Sequence, residues 1–207
     1  MSPLSEQLRA RLAARTAARV AGPVGHHAAV ALVLRPWGGG ELLFIRRAEH
    51  PQDPWSGQVA FPGGRREAGD ADLVHTARRE TLEETGLDLA LTADYLGPLD
   101  EVRAMARLKP LDLTIAPFVF ALRVEPDPLA LSSEVRSAHW LPLDALADPG
   151  ARATLDYSHG GTDLRFPCLR LHELTIWGLT YRMFVNFHSL LGEASPLPGT
   201  CPEAVSG

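Results

Sequence analysis

The run AAVALVLRP at 28–36, closed by WGGG and followed by ELLFIRR at 41–47, restricts the fold more than any other stretch of the chain. An uninterrupted apolar run of strand length, bounded by glycines and followed by a second such run, predicts a buried strand and its hairpin partner. A Pro- and Gly-containing loop, AEHPQDPWSGQ, comes next, then a short strand VAF and a turn PGG. A helix is predicted over 71–85, with Asp70 or Asp72 as its cap and Gly86 as a left-handed stop. ALTADYLGPL and LDLTIAPFVFALRV read as strands, separated by a loop at 99–110 that carries Arg103, Arg107 and Lys109. LPLDALAD reads as a short helix, DLRFPCLRL as a strand and ELTIWGLTYRMFVNFHSLL as a long final helix. Strands, a helix, more strands and a last helix predict an α/β sandwich around a mixed sheet, not a purely parallel doubly wound one.

The first residues, MSPLSEQLRARLAARTAARVAG, have the Arg- and Ala-rich composition of a transit peptide. Leu4, Leu8 and Leu12 recur at helical spacing, however, and favour an amphipathic helix over 1–22 that docks on the domain. The main domain is expected at 23–191, and a flexible Pro-, Gly- and Ser-containing tail at 192–207. With 207 residues, 45% of them hydrophobic, the chain is long enough for one domain with a substantial core. Its net charge of −5 argues against nucleic acid as a partner, and no apolar run reaches membrane-spanning length. Cys168 and Cys201 form no CxxC pair, so a reducing, cytoplasmic setting is expected, and the eight histidines show no metal-type spacing.

RRETLEETGL at 78–87 poses a physical problem. On a helix, Glu80, Glu83 and Glu84 converge on one face, and each like-charge pair at that spacing costs about 0.2–0.5 kcal/mol. A hard divalent cation reverses that sign, so the three glutamates are candidate metal ligands. Arg79, one turn before Glu83, is placed to hold a carboxylate. Gly63 and Gly64 suit a tight turn and a close approach of backbone to a metal or phosphate.

GGRREAGDADLVHTARRETLEETGL resembles the Nudix box, with Gly64, Arg79, Glu80, Glu83, Glu84, Gly86 and Leu87 in matching positions. It departs from the usual box in three ways: Asp70 stands for Glu, eight residues separate it from Arg79 where the box has seven, and Thr81 replaces an apolar residue. The resemblance implies a Nudix-type α/β/α sandwich around a mixed β-sheet that hydrolyses a diphosphate joined to another group. It also implies Mg²⁺ or Mn²⁺ held by Glu83 and Glu84, with Glu80 completing the site or orienting a water, and catalytic roles for Glu83 and Arg79. Nudix enzymes often take their general base from outside the box, and Glu134 in LSSEVRSAHWLPL is the candidate here, with an ordinary loop carboxylate as the competing reading.

LLFIRRAEHPQDPWSGQVAFPGGRRE looks like the segment before the box in the coenzyme A pyrophosphatase branch, through Gly57, Gln58, Ala60, Phe61, Pro62, Gly63 and Gly64. IWGLT at 176–180 adds to the likeness, whereas Phe44 stands where the branch tends to have Thr. The resemblance implies cleavage of coenzyme A to 3′,5′-ADP and 4′-phosphopantetheine, with Arg46, Arg47, Gln58, Gly63, Gly64 and Arg65 at the substrate. Trp55 is open to two readings, stacking on a base or packing on the domain. ADP-ribose, dinucleotides and oxidised nucleoside triphosphates are the alternative substrates, and a non-hydrolytic nucleotide-binding regulator is the alternative class. Homodimers are common among similar proteins, although no stretch of this sequence marks an interface.

Overall fold

The structure, a computed structural model, describes residues 2–22, 25–106, 109–192 and 203–204. The helices are α1 (Pro3–Ala13), α2 (Leu73–Thr85), α3 (Leu89–Thr92), α4 (Leu143–Ala147) and α5 (Gly178–His188). The first strands are β1 (His26–Arg35), β2 (Glu41–Arg47), β3 (Val59–Ala60), β4 (Gly63–Arg65), β5 (Ala93–Pro98) and β6 (Val102–Ala106). They are followed by β7 (Lys109–Leu122), β8 (Val135–Pro142), β9 (Arg152–His159), β10 (Thr162–Leu171), β11 (Leu174–Trp177) and β12 (Glu203–Ala204).

An eight-stranded sheet runs β3-β2-β1-β7-β5, with β4 also on β1, β6 on β7 and β8 on β2. Its β1–β7 ladder is parallel and its other pairings are antiparallel, which makes the mixed sheet expected from the order of elements. Alternation along β1 sorts the core into two layers. Leu32 and Leu34 pack with Leu8 and Leu12 of α1 and with Tyr181, Phe184 and Phe187 of α5, while Ala29, Ala31 and Val33 pack with Ala77 of α2. A smaller antiparallel sheet of β9, β10, β11 and β12 completes the architecture. No helix among the described residues is long and apolar enough to cross a membrane.

Several predicted elements change identity. The long helix expected at 173–191 begins instead as β11, pairing Cys168 with Trp177 and Leu169 with Ile176, and α5 starts only at Gly178. Leu174 and Ile176 are both buried, so the stretch follows the two-residue period of a strand, and Gly178, at φ 59°, permits the change of direction. The loop expected at 99–110 contains β6, zipped onto β7 through Val102↔Ile115; Arg107 lies outside the described residues. The strand expected at 90–99 opens with the short helix α3, capped by the Asp88 carboxylate. PGG supplies β4 rather than only a turn, because Gly64 pairs with Ala29 of β1. Most of the tail read at 192–207 falls outside the described residues, but Glu203–Ala204 pairs with β10.

Asp100 clasps the amino-terminal segment to the sheet end. Its carboxylate accepts from the Ala18 N–H at 2.8 Å and the Asn186 Nδ2 at 2.8 Å, and pairs with Arg15. Burial pushes the Asp100 carboxyl up, but these donors together hold it below the usual carboxylate range. A depressed carboxyl stabilises the fold above its unfolded pKa and loses that contribution as pH falls. Asp100→Asn should therefore cost about 1 kcal/mol at pH 7 in urea unfolding. The difference from wild type should shrink below about pH 4, and a pH-independent difference would contradict the assignment.

Candidate active site

Helix α2 is fixed at both ends by local sequence. Asp72 caps it, accepting from the His75 N–H at 2.7 Å, and Gly86 ends it at φ 73° with its N–H on the Leu82 carbonyl at 2.8 Å. The helix is thus two residues shorter at its start than expected, and Asp70 is free for other work. Thr81, the residue that breaks the apolar rule, is buried with its hydroxyl on the Ala77 carbonyl at 2.7 Å, so its polar atom is satisfied inside the core.

Asp70 anchors Arg79. Its two carboxylate oxygens accept from Arg79 Nε and Nη2, both at 3.0 Å, and it also accepts from the Glu67 N–H and the Thr76 hydroxyl, both at 2.9 Å. His75 Nδ1 stands 2.9 Å from the same carboxylate. Arg79 holds the Asp70 carboxyl far below the usual carboxylate range, outweighing the opposing effect of burial. Arg79 Nη1 then reaches Glu83 Oε2 at 3.0 Å, and Nη2 reaches Glu80 Oε1 at 3.0 Å and the Arg65 carbonyl at 3.0 Å. One guanidinium therefore orients two of the three predicted ligands.

Glu84 faces inward and is buried. Burial pushes its carboxyl up to about 7; the Gly63 N–H and Arg47 oppose that, while Glu80 and Glu134 add to it. Burial raises the Glu80 carboxyl as well, against Arg79 and with Glu83 and Glu134. The charge of Glu134 adds to the rise at both glutamates, Glu84 buried and Glu80 partly so. The chain between β7 and β8 brings it there, with the Ala130 N–H on the Thr85 carbonyl at 2.9 Å and the Ser132 N–H on the Glu84 carbonyl at 3.1 Å. Glu83 is the exposed member of the set, with its side chain 57% accessible.

The glycines make the close approach possible. The Gly63 N–H donates to Glu84 Oε2 at 2.8 Å, and a Cβ at that residue would collide with the Ala29 carbonyl and Val30. A Cβ on Gly64 would collide with the Glu80 carboxylate. Both predicted glycines thus line the carboxylate face. Arg65 contributes its carbonyl to Arg79, and Gln58 accepts the Arg47 N–H at its own carbonyl, 3.0 Å away. Arg46 donates from Nε to the Gly57 carbonyl at 3.3 Å, and Arg47 reaches Asp53 and Glu84. Trp55 packs against the core and donates its indole N–H to the Met105 carbonyl at 3.1 Å, the packing alternative of its two readings. Arg103 donates to the Ala21 carbonyl, away from the glutamates.

Among the described residues, no three His, Cys, Asp or Glu side chains are drawn together around one point as a bound ion would draw them. The donor chemistry nevertheless fits a hard cation: Glu80, Glu83, Glu84 and Glu134 offer only oxygen, and the carboxyls of buried Glu84 and partly buried Glu80 are raised by burial and by neighbouring carboxylates, whose repulsion a divalent ion would relieve. A cavity of about 430 Å³ lies elsewhere, lined by Arg35, Leu129, Leu131 and Trp140. Its Arg35 is already paired with Glu41 and Glu125. Sequence reasoning missed Asp53, Thr76, His75 and Ser132, whose partners become apparent only once the loops are folded.

The NUDIX domain profile matches residues 25–159, and the chain belongs to the Nudix family. A Nudix hydrolase, NudL, of Yersinia enterocolitica is 32% identical over 164 residues, covering 75% of this chain and 76% of that protein. An uncharacterized protein of Schizosaccharomyces pombe is 42% identical over 111 residues, 52% of this chain, and the match spans only 33% of that relative's length. Among solved structures, an Ap4A hydrolase of C. elegans in a binary complex superposes with a TM-score of 0.46 at 22% identity, covering 58% of this chain and 82% of that one. The family and its hydrolase relatives support a pyrophosphohydrolase that acts on nucleotide derivatives, and Nudix hydrolases generally use divalent metal ions.

Removing one charge from the Asp70 anchor tests the arrangement. Asp70→Asn should lower the unfolding free energy by about 2 kcal/mol in urea titrations, because Arg79 stays partly buried without its charged partner. The simple cap variant Asp72→Ala should cost about 1 kcal/mol. Equal losses in the two would mean that Arg79 does not depend on Asp70.

Proposed function

We propose that the chain hydrolyses the diphosphate linkage of a nucleotide derivative, with coenzyme A or its derivatives as substrate and 3′,5′-ADP and 4′-phosphopantetheine as products. The observation that carries the reading is the carboxylate face of α2, where Arg79, fixed by Asp70, holds Glu80 and Glu83 and the Gly63 N–H holds Glu84. Coenzyme A is favoured because the segment resembling that branch, residues 42–67, includes the Gly63 and Gly64 wall of this site.

Glu80, Glu83 and Glu84 would hold Mg²⁺ or Mn²⁺. When bound, the ion polarises a phosphoryl oxygen and offsets the charge of the diphosphate leaving group. Arg79 fixes the Glu80 and Glu83 carboxylates so that they meet a cation with little reorganisation. Glu134 accepts a proton from the attacking water, whose oxygen bonds to phosphorus as the bridging P–O bond breaks and the leaving oxygen departs with its electron pair. Arg46, Arg65 and the backbone around Gly63 and Gly64 face the phosphates, and Gln58 lies on the same segment. The reading takes residues 23–191 as one Nudix unit in a cytoplasmic, homodimeric protein.

Product analysis tests it, with wild type, Glu83→Gln and Glu134→Gln each incubated with Mg²⁺ or Mn²⁺ and, separately, coenzyme A, ADP-ribose or a dinucleoside diphosphate. Phosphopantetheine should appear with wild type and vanish on chelation of the metal. Glu134→Gln should lower kcat by about 10²–10⁴-fold. Preferential cleavage of another diphosphate would discard coenzyme A, and nucleotide binding without turnover of any substrate would discard the hydrolase reading.

A further inference from the structure

Arg46 and Arg47 end β2 side by side, and adjacent strand residues ordinarily point to opposite faces. The β2–β8 ladder slips between them, from Arg46↔Ser137 to Arg47↔Val135, an irregularity of the kind that re-aims a side chain next to a site. Arg46 turns to the Gly57 carbonyl. Arg47 is spent differently: Nε and Nη2 both bind Asp53 Oδ2, at 2.9 and 2.8 Å, leaving Nη1 3.9 Å from Glu84 Oε1. At that distance the contact is one of charge without a hydrogen bond, so Glu84 Oε1 keeps its lone pairs, while Oε2 is occupied by the Gly63 N–H.

Asp53 is itself built into the loop. Its other oxygen accepts the Trp55 N–H at 2.9 Å, its own N–H meets the His50 carbonyl at 3.1 Å, and its side chain is only 15% exposed. The loop is pinned at its far side by the Trp55 indole on the Met105 carbonyl. Where β2 ends, the Ala48 N–H meets the Glu134 carbonyl at 2.8 Å.

We infer that Asp53 and Arg47 form a positioning pair that holds the Glu84 carboxylate for the cation and ties it to the loop at 48–58, and that Arg47 is not a phosphate contact. An arginine with two of its three nitrogens fixed on a loop carboxylate cannot swing to a substrate without breaking a partly buried ion pair and its hydrogen bond. The inference rests on the reading of Glu84 as a metal ligand under the proposed function.

Mn²⁺ binding to the metal-free protein, followed by water-proton relaxation in the absence of substrate, tests it together with steady-state kinetics. The variants are Asp53→Asn, Arg47→Lys and Glu84→Gln, and Asp53→Asn combined with Glu84→Gln, with thermal melts as the control on folding. Asp53→Asn should weaken Mn²⁺ binding about tenfold and lower kcat while KM for the hydrolysed diphosphate holds within about twofold. In the Glu84→Gln background it should cause no further loss, because the two substitutions act on one interaction. Arg47→Lys, which keeps the charge but not the fork, should behave like Asp53→Asn and supplies the same comparison if that variant melts early. A tenfold rise in KM with Mn²⁺ binding unchanged would overturn the inference and make Arg47 a substrate contact. Equal losses from Asp53→Asn in both backgrounds would overturn it too. Unchanged Mn²⁺ binding in Glu84→Gln alone would remove the metal reading of Glu84 itself, a failure visible separately from that of the pair.

Discussion

The site depends on a single guanidinium that neutralises a helix face otherwise crowded with like charge. Arg79 is locked by two oxygens of buried Asp70, and from that fixed position reaches Glu80 and Glu83. A flexible arginine would offset the repulsion as well, but it would not set where the carboxylates point. Asp70 is short and lies outside α2, so it reaches Arg79 across the junction where the box carries its additional residue. The insertion is absorbed in the chain before Asp72, and the angular relation among Glu80, Glu83 and Glu84, set by helix geometry, is untouched.

The second constraint is the distance between backbones. β4 can lie against both β1 and α2 only because Gly63 and Gly64 present no side chain to the Ala29 carbonyl or to Glu80. That closeness gives Glu84 a backbone N–H and at the same time strips it of water, so burial outweighs the hydrogen bond and the carboxyl rises to about 7. Burying acidic groups beside one another costs stability, and folds retain such arrangements chiefly where chemistry uses them. The chain before β8 completes the arrangement by docking on the carboxyl end of α2, with Ser132 on the Glu84 carbonyl, which carries Glu134 to the same place.

What the sequence disclosed follows from range. The metal-type face, its cap and its stop are set by residues within a few turns of one another, and the apolar runs of β1, β2 and β7 are self-evident as buried strands. The conversion of 174–177 from helix to strand was decided by pairing with β10, a non-local partner, and β8 and β9 escaped notice because each is only partly buried and takes its shape from a neighbour. The same limit applied in the site. Asp70 read as an alternative cap, since nothing local distinguishes a capping Asp from one that binds an arginine nine positions on. Asp53 gave no signal because its link to Arg47 requires the register shift at the end of β2 and the turn that follows.

The most direct measurement of the central claim is anomalous diffraction from crystals soaked in Mn²⁺ and collected at the manganese edge. A peak is expected among the Glu80, Glu83 and Glu84 carboxylates, with Arg79 still on Asp70. A peak at another site with these three carboxylates left to Arg79 and solvent, or no ordered peak at millimolar Mn²⁺, would contradict the claim.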